Sequence, residues 1–166
     1  DVLVPLVDEE LLKATSLQSE NLSVILPKPE FIALCLDKAL LMGKLLSHDI
    51  SVPHTILGSS HLASVTYPAI VKPRTGRGSR GIGIVHNRQE LDQFLKHSPY
   101  TPEQLIIQDF VEGTEYTVSV VVWRDGHVQA VVPKEIILKR GVTQIAVTRK
   151  NQKIKTLCEN IQNALH

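Results

Sequence analysis

The sequence lacks the features that mark several specialised classes of protein. Among its 166 residues are two cysteines, Cys35 and Cys158, which lie far apart and form no Cys/His ligand spacing. This disfavours a disulfide framework and a structural zinc site. A formal net charge of +1 provides no bulk attraction to DNA or to an anionic membrane. No apolar run approaches the roughly 18 residues of a membrane-spanning helix, and the sequence shows no charged-then-apolar leader. We therefore expect a cytoplasmic protein, with neither nucleic acid nor membrane as a partner.

The two ends of the sequence also lack the usual features of chain termini. The first residues form an extended apolar run without an initiator methionine, and the last residues continue an amphipathic helical pattern. We therefore expect a fragment of a longer protein. The 43% hydrophobic and 21% charged content is ordinary for a globular unit with a packed core.

The most informative segment is a glycine-rich and arginine-rich loop between two short apolar runs. Between Tyr67 and Val85 the sequence has four glycines and three arginines, and Lys72 ends the first run. Glycines permit positive φ, so Gly76, Gly78 and Gly81 allow backbone N–H groups to turn toward an anion. Because Lys72 adds a compact positive charge beside the loop, the segment predicts a phosphate-binding hairpin whose ligand is a nucleoside triphosphate.

Three other interpretations of this loop are less consistent with the flanking sequence. Residues 76–81 fit the pattern G-x-G-x-x-G, but the dinucleotide-binding fingerprint requires a helix directly after the loop, and a strand-like run from Ile82 to Val85 follows instead. In protein kinases the lysine follows the loop rather than precedes it. A flexible surface turn that contacts RNA phosphates stays possible, but no aromatic residue lies among the arginines to stack on bases.

The N-terminal third predicts alternating strands and helices. Val2–Leu6 and Leu22–Leu26 are strand-like, and an acidic first turn begins a helix at Asp8. Pro29 opens a helical stretch that continues to about Leu46, and an extended segment follows at 50–55. These elements are typical of an α/β unit.

The remainder predicts a small α+β unit followed by long strands. A capping box at Asn87 and Glu90 begins a helix whose apolar face is Leu91, Phe94 and Leu95. The Asp125-Gly126 pair predicts a hairpin turn. The predicted strands are Ala69–Lys72, Gly83–Val85, Gln104–Phe110, Glu115–Trp123, His127–Leu138 and Ile145–Thr148, before a last helix with a buried stripe of Ile154, Leu157, Ile161 and Leu165.

This order of parts resembles the ATP-grasp superfamily, most closely the ATP-binding domain of carbamoyl-phosphate synthetase large-chain-like proteins. The resemblance is carried by Asp37-Lys38, Tyr67-Pro-Ala-Ile-Val-Lys-Pro73, the glycine loop, Ile106-Ile-Gln-Asp-Phe-Val-Glu-Gly113 and Thr114-Glu-Tyr-Thr-Val118. It implies a partial ATP-grasp fold of the α+β class, with a small glycine-loop lid and part of a larger antiparallel sheet. The implied domains are 1–36, the tail of a preceding α/β domain; 37–66, the start of the ATP-grasp unit; 67–112, the lid; and 113–166, the first part of the core.

The resemblance also implies an ATP site and a ligase reaction. The parent enzyme would convert a carboxylate substrate into an acyl phosphate, which a nitrogen nucleophile then attacks. Lys72 and Lys38 would contact phosphate, backbone groups of a hinge would bind adenine, and Glu115 would accept from the ribose hydroxyls. The implied nucleotide-binding residues are Lys38, Lys72, Gly76, Gly78, Ser79, Gly81, Asp109, Phe110, Val111 and Glu115. Lys38 could instead be a solvated helix lysine, Lys72 a surface cation, and Glu115 an ion-pair partner.

One departure from the family pattern concerns magnesium. The family holds Mg²⁺ through a carboxylate and an Asp/Glu-x-Asn pair on strands that follow the last helix seen here, and the sequence has no such element. We therefore expect magnesium only in the full-length parent, no metal site in this chain, and no activity from this segment alone. Two alternatives stay open: a ligase similar to D-alanine–D-alanine ligase or to another carboxylate–amine ligase, and a non-catalytic nucleotide-binding module.

Overall fold

The computed structural model describes residues 1–17, 19–123 and 125–165. The chain divides into two compact units. The first unit comprises Asp1–Lys44 and Pro53–Phe110, and the second comprises Leu45–Val52 and Val111–His166. Helices and antiparallel sheets make this an α+β structure, as predicted.

The N-terminal part of the first unit contains two short parallel strands and two helices. Strand β1 (Val2–Leu3) pairs with β2 (Ser23–Val24), helix α1 covers Asp8–Ala14, and α2 covers Pro29–Leu36. Both strands are shorter than predicted. The acidic first turn of α1 is present as predicted and complements the helix dipole.

The helical stretch predicted from Pro29 to Leu46 is wrong in one respect, because it breaks at Asp37. Asp37 adopts extended backbone angles, φ −106° and ψ 106°, and a separate helix α3 covers Lys38–Leu46. The Asp37 carboxylate accepts hydrogen bonds from the N–H groups of Ala39 (2.9 Å) and Leu40 (3.2 Å). An aspartate that caps a helix N-terminus in this way favours a new helix over the continuation of the old one.

The main sheet of the first unit has four strands, ordered β3-β6-β4-β5, and every neighbouring pair is antiparallel. The strands are β3 (Thr55–Leu57), β4 (Ala69–Pro73), β5 (Gly83–Val85) and β6 (Leu105–Asp109). The sequence predicted the last three, whereas β3 was expected only as an extended segment. In the register of β4 with β6, Ile70 lies opposite Gln108 and Lys72 lies opposite Ile106.

One face of this sheet packs on helix α4 (Arg88–His97). The Asn87 side chain accepts a hydrogen bond from the Glu90 N–H, so the predicted cap is confirmed. The buried core consists of Ala69, Val71, Val85, Leu91, Leu105 and Ile107. Side chains alternate across a strand, so Lys72 lies on the opposite face of β4 from Val71.

The second unit has a three-stranded antiparallel sheet and one long helix. Its strands, in the order β7-β8-β9, are β7 (Tyr116–Val122), β8 (Val128–Arg140) and β9 (Val142–Thr148), and helix α5 covers Gln152–Leu165. The predicted β7–β8 hairpin is confirmed, and Gly126 has a φ of 84°. Strand β9 begins three residues before the predicted Ile145.

The prediction of a buried apolar stripe on α5 overestimates how much of that stripe is buried. In the described part of the chain no residue of α5 is buried, and Leu157 is 44% exposed. The helix contacts β8, but amphipathic spacing alone does not determine how completely an apolar stripe is covered.

None of the helices in the described residues is long and apolar enough to cross a membrane.

Candidate functional site

The glycine loop connects β4 to β5 and has an unusual backbone conformation. Gly76, Gly78 and Gly81 have φ of 98°, 71° and 68°, and Ser79, a non-glycine residue, has a φ of 57°. The predicted left-handed conformation of the three glycines is therefore confirmed. Gly81 is further restricted, because a Cβ there would lie 2.7 Å from the Tyr100 ring. Residues with positive φ that alternate with ordinary ones can turn neighbouring backbone N–H groups toward one side, as in an anion-binding nest.

Lys72 is held by a chain of hydrogen bonds on the sheet face opposite the core. Its Nζ donates to Oε1 of Gln108 at 2.8 Å, and Nε2 of Gln108 donates to Oγ1 of Thr55 at 2.8 Å. The Thr55 hydroxyl in turn donates to the carbonyl of Pro53 at 2.8 Å. The ammonium therefore has a defined position at the start of the glycine loop. Sequence reasoning identified Lys72 but missed Gln108 and Thr55. The available signal was a polar residue that directly follows the apolar run Leu105–Ile107 in β6.

Lys38 contacts the backbone of the glycine loop. Its Nζ donates to the carbonyl oxygens of Gly76 (2.9 Å) and Arg74 (3.3 Å), and its backbone N–H also donates to Arg74 at 3.0 Å. Burial lowers the pKa of Lys38, while the charges of Asp37 and Asp8 oppose that shift. Lys38 is thus half-buried and stabilises the loop, which differs from a solvated helix lysine.

Asp37 and Arg74 form an ion pair that the sequence did not indicate. The guanidinium Nη2 and Nε lie 2.6 Å and 3.3 Å from the carboxylate oxygens, and the Arg74 N–H donates to the Gln104 carbonyl at 2.8 Å. Burial opposes ionisation of Asp37, but the Arg74 hydrogen bond, the N–H groups of Leu40 and Ala39 and the Arg74 charge together lower its pKa. The pair fixes the start of α3 to the first residue of the loop.

Arg77, within the loop, pairs with Glu9 on α1. Its Nε lies 3.1 Å and 3.0 Å from the two carboxylate oxygens, and both side chains are exposed. A backbone hydrogen bond and the Arg77 guanidinium lower the pKa of Glu9. These residues border a cavity of about 120 Å³ that is also lined by Pro73, Thr75, Gly76, Arg80 and Tyr100.

The predicted adenine hinge lies at the end of β6. The N–H groups of Asp109 and Phe110 donate to the carbonyls of His54 (3.0 Å) and Pro68 (3.2 Å). In the described chain nothing accepts a hydrogen bond from the Val111 N–H. Of the three predicted hinge residues, Val111 is therefore the one whose backbone N–H has no hydrogen-bond acceptor in the described chain.

Glu115, the predicted ribose contact, lies in the second unit and pairs with Lys139 at 2.5 Å. The ion-pair alternative for Glu115 is therefore what this structure contains. The other predicted residues except Val111 belong to the first unit, where Lys38 contacts Gly76 directly.

Across residues 1–17, 19–123 and 125–165 there is no group of three or more His, Cys, Asp or Glu side chains that could hold a metal ion.

Comparisons with known proteins give a consistent result. Residues 35–166 match the ATP-grasp domain family. D-alanine–D-alanine ligase of Pediococcus pentosaceus is 30% identical over 113 residues, which is 65% of this chain and 31% of that enzyme. The chain therefore spans about a third of the length of that relative.

Two solved structures have the same fold. VanG D-Ala:D-Ser ligase from Enterococcus faecalis superposes with a TM-score of 0.72 at 21% identity, covering 99% of this chain and 56% of that one. Carboxyaminoimidazole ribonucleotide synthase from Aspergillus clavatus, solved with ATP, gives 0.73 at 16% identity and covers 99% and 46%.

Proposed function

The chain belongs to the ATP-grasp domain family, and from this premise we propose that it is the nucleotide-binding portion of an ATP-dependent ligase. The parent enzyme activates a carboxylate by transfer of the γ-phosphoryl group of ATP, which forms an acyl phosphate and releases ADP. A nitrogen nucleophile attacks the acyl carbon, and inorganic phosphate leaves. The observation that carries this proposal is the fixed ammonium of Lys72 at the start of a loop with four positive φ angles.

In this proposal the glycine loop and Lys72 jointly bind the phosphates of ATP. Phosphoryl transfer depends mainly on positioning and on positive charge around the transferred group. Backbone N–H groups at Gly76, Gly78, Ser79 and Gly81 supply donors, and Lys72 supplies charge. Gln108 is neutral, so its hydrogen bond holds the ammonium without cancelling its charge. Lys38 maintains the loop conformation through the Gly76 carbonyl, and it contributes a second positive charge.

The base and the sugar would bind at residues at the end of β6 and after it. The Val111 N–H is a donor for an adenine nitrogen, and carbonyls of Asp109 or Phe110 are acceptors for its amino group. Glu115, which pairs with Lys139, would accept from the ribose hydroxyls. Magnesium supplies charge neutralisation of the phosphates in such enzymes. The described residues offer no cluster that fits the ion, so we assign none of them to it.

The domain layout expected from the sequence stays part of the proposal: a preceding-domain tail at 1–36, a helical start at 37–66, a lid at 67–112 and a core at 113–166. Among finer assignments, a ligase similar to D-alanine–D-alanine ligase is favoured by the relative that is 30% identical over 113 residues. A carbamoyl-phosphate-synthetase-like parent is the alternative that the sequence motifs suggested.

Calorimetric titration with ADP and ATP tests the proposal. Lys72→Ala removes a charge-assisted phosphate contact, which costs about 1.5–3 kcal/mol, so affinity should fall roughly ten- to a hundredfold. Lys38→Ala should cause a smaller loss, because its ammonium already donates to loop carbonyls. Lys96→Ala, at an exposed position in the last turn of α4, is the matched control and should leave affinity unchanged. Equal affinities for the Lys72 and Lys96 variants would refute the phosphate site. We expect no magnesium-dependent ATP hydrolysis from residues 1–166 alone.

A further inference from the structure

We propose that Gln108 and Thr55 are positioning residues that direct the Lys72 ammonium toward bound phosphate. This inference rests on the proposed function, because it needs phosphate beside Lys72. Neither residue is required to touch the nucleotide. Both act through Lys72. Thr55 lies on β3 and Gln108 on β6, which lies between β3 and the Lys72 strand β4.

The hydrogen bonds between these residues have only one consistent direction. The Thr55 hydroxyl has one proton, which it donates to the Pro53 carbonyl, so its oxygen is left as an acceptor. The amide NH₂ of Gln108 must therefore face Thr55, and its oxygen must face Lys72. The opposite amide orientation would place NH₂ against an ammonium, a contact between two donors. Lys72 and Thr55 thus require the same amide orientation, and Thr55 anchors the NH₂ end so that the amide oxygen stays in place beside Lys72.

Burial makes this arrangement rigid. Gln108 is 8% exposed and is the polar residue found among the buried side chains of the described chain. A buried amide that loses a partner pays a desolvation penalty, which keeps both of its hydrogen bonds in place. The strand register places Gln108 opposite Ile70, and Ile106, two residues earlier in β6, opposite Lys72. Strand pairing therefore fixes where Gln108, the residue that carries the acceptor, lies relative to Lys72.

The neutral acceptor also preserves the charge that phosphate requires. A carboxylate at position 108 would form an ion pair with Lys72 and compete with the phosphate for the ammonium. A glutamine accepts the same hydrogen bond with no negative charge. The structure therefore predicts that two properties can be changed separately. Substitution at Thr55 changes how the Lys72 ammonium is positioned, and substitution at Gln108 changes the charge of its acceptor.

The direction is tested with Thr55→Val, which keeps the β-branched shape but removes the hydroxyl. ADP affinity should fall about three- to tenfold, as expected for one lost hydrogen bond. Thr55→Ser retains the hydroxyl and should bind ADP within about twofold of the unaltered chain. Adenosine, followed by ligand-observed NMR, has no phosphate and should bind both variants equally. In a Lys72→Ala background, Thr55→Val should cause no further loss, because the effect passes through Lys72.

The charge is tested with Gln108→Glu, which should weaken ADP binding at least as much as Thr55→Val. It also serves if the valine variant does not fold. Equal losses for ADP and adenosine, or a Thr55→Val loss that persists without Lys72, would show a merely structural role and overturn this inference alone. ADP affinity unchanged in Gln108→Glu would do the same. No ADP binding by the unaltered chain would overturn both this inference and the proposed function.

Discussion

The four-stranded sheet and the three-stranded sheet are built from similar apolar strands but differ in how many of their side chains are buried. In the first unit, β4 and β6 contribute Ala69, Val71, Leu105 and Ile107 to a closed core beneath α4. In the second unit, β7 to β9 are rich in valine and isoleucine. Among the described residues of these three strands, Pro133 alone is buried. A valine-rich run therefore predicts a strand, whereas burial depends on what packs against it.

One ion pair from each unit shows a similar contrast in exposure. Asp37 and Arg74 in the first unit have side chains that are 16% and 28% exposed, and Asp37 also caps a helix. Glu115 and Lys139 in the second unit are 55% and 39% exposed. Water and salt screen the second pair far more than the first. Loss of the Asp37–Arg74 pair should therefore cost more stability than loss of the Glu115–Lys139 pair.

The largest expected difference concerns the hydrophobic side chains. Leu91→Ala removes a fully buried leucine from the first unit and should lower the free energy of unfolding by about 2–5 kcal/mol. Leu157→Ala, at a 44% exposed position of α5, should cost less than about 1 kcal/mol. Urea denaturation followed by circular dichroism measures both. Similar losses in the two variants would show that the exposed position on α5 is no more tolerant than the core of the first unit.

A smaller difference should separate the ion pairs, and it depends on pH. The pKa of Asp37 is lowered in the folded protein, so its contribution is present above the unfolded value of about 3.9 and is lost as pH falls through the folded pKa. Asp37→Asn keeps a helix cap but removes the charge, and should cost about 1–2 kcal/mol at pH 7. That deficit should shrink below about pH 4. A deficit independent of pH in urea titrations would contradict the ion-pair explanation.

The smallest effect is expected at the exposed pair of the second unit. Lys139→Ala should change the free energy of unfolding by less than about 1 kcal/mol, and 1 M sodium chloride should abolish the change. Lys153→Ala, an exposed lysine in the first turn of α5, is the control. A cost above about 2 kcal/mol that persists at high salt would place Glu115 and Lys139 with the buried pairs.

Local sequence signals predicted most of the elements and part of the candidate site. The Asn87 cap, the Asp125-Gly126 turn and the positive φ of the loop glycines all depend on residues close together in the chain. Lys72 was identified because it lies next to that loop. The family was predicted from the order of several motifs, and residues 35–166 match it.

What the sequence could not supply depends on contacts between distant residues. Arg74 reaches Asp37 across 37 positions, and Gln108 reaches Thr55 across 53. No local pattern encodes those distances, because strand order and register set them only after the sheet forms. The sequence by itself determined the loop, the lysine and the family. The tertiary structure decided which neutral side chain holds that lysine, where the helix breaks, and which of two similar sheets is buried, since hydrogen bonding and burial are properties of the packed chain.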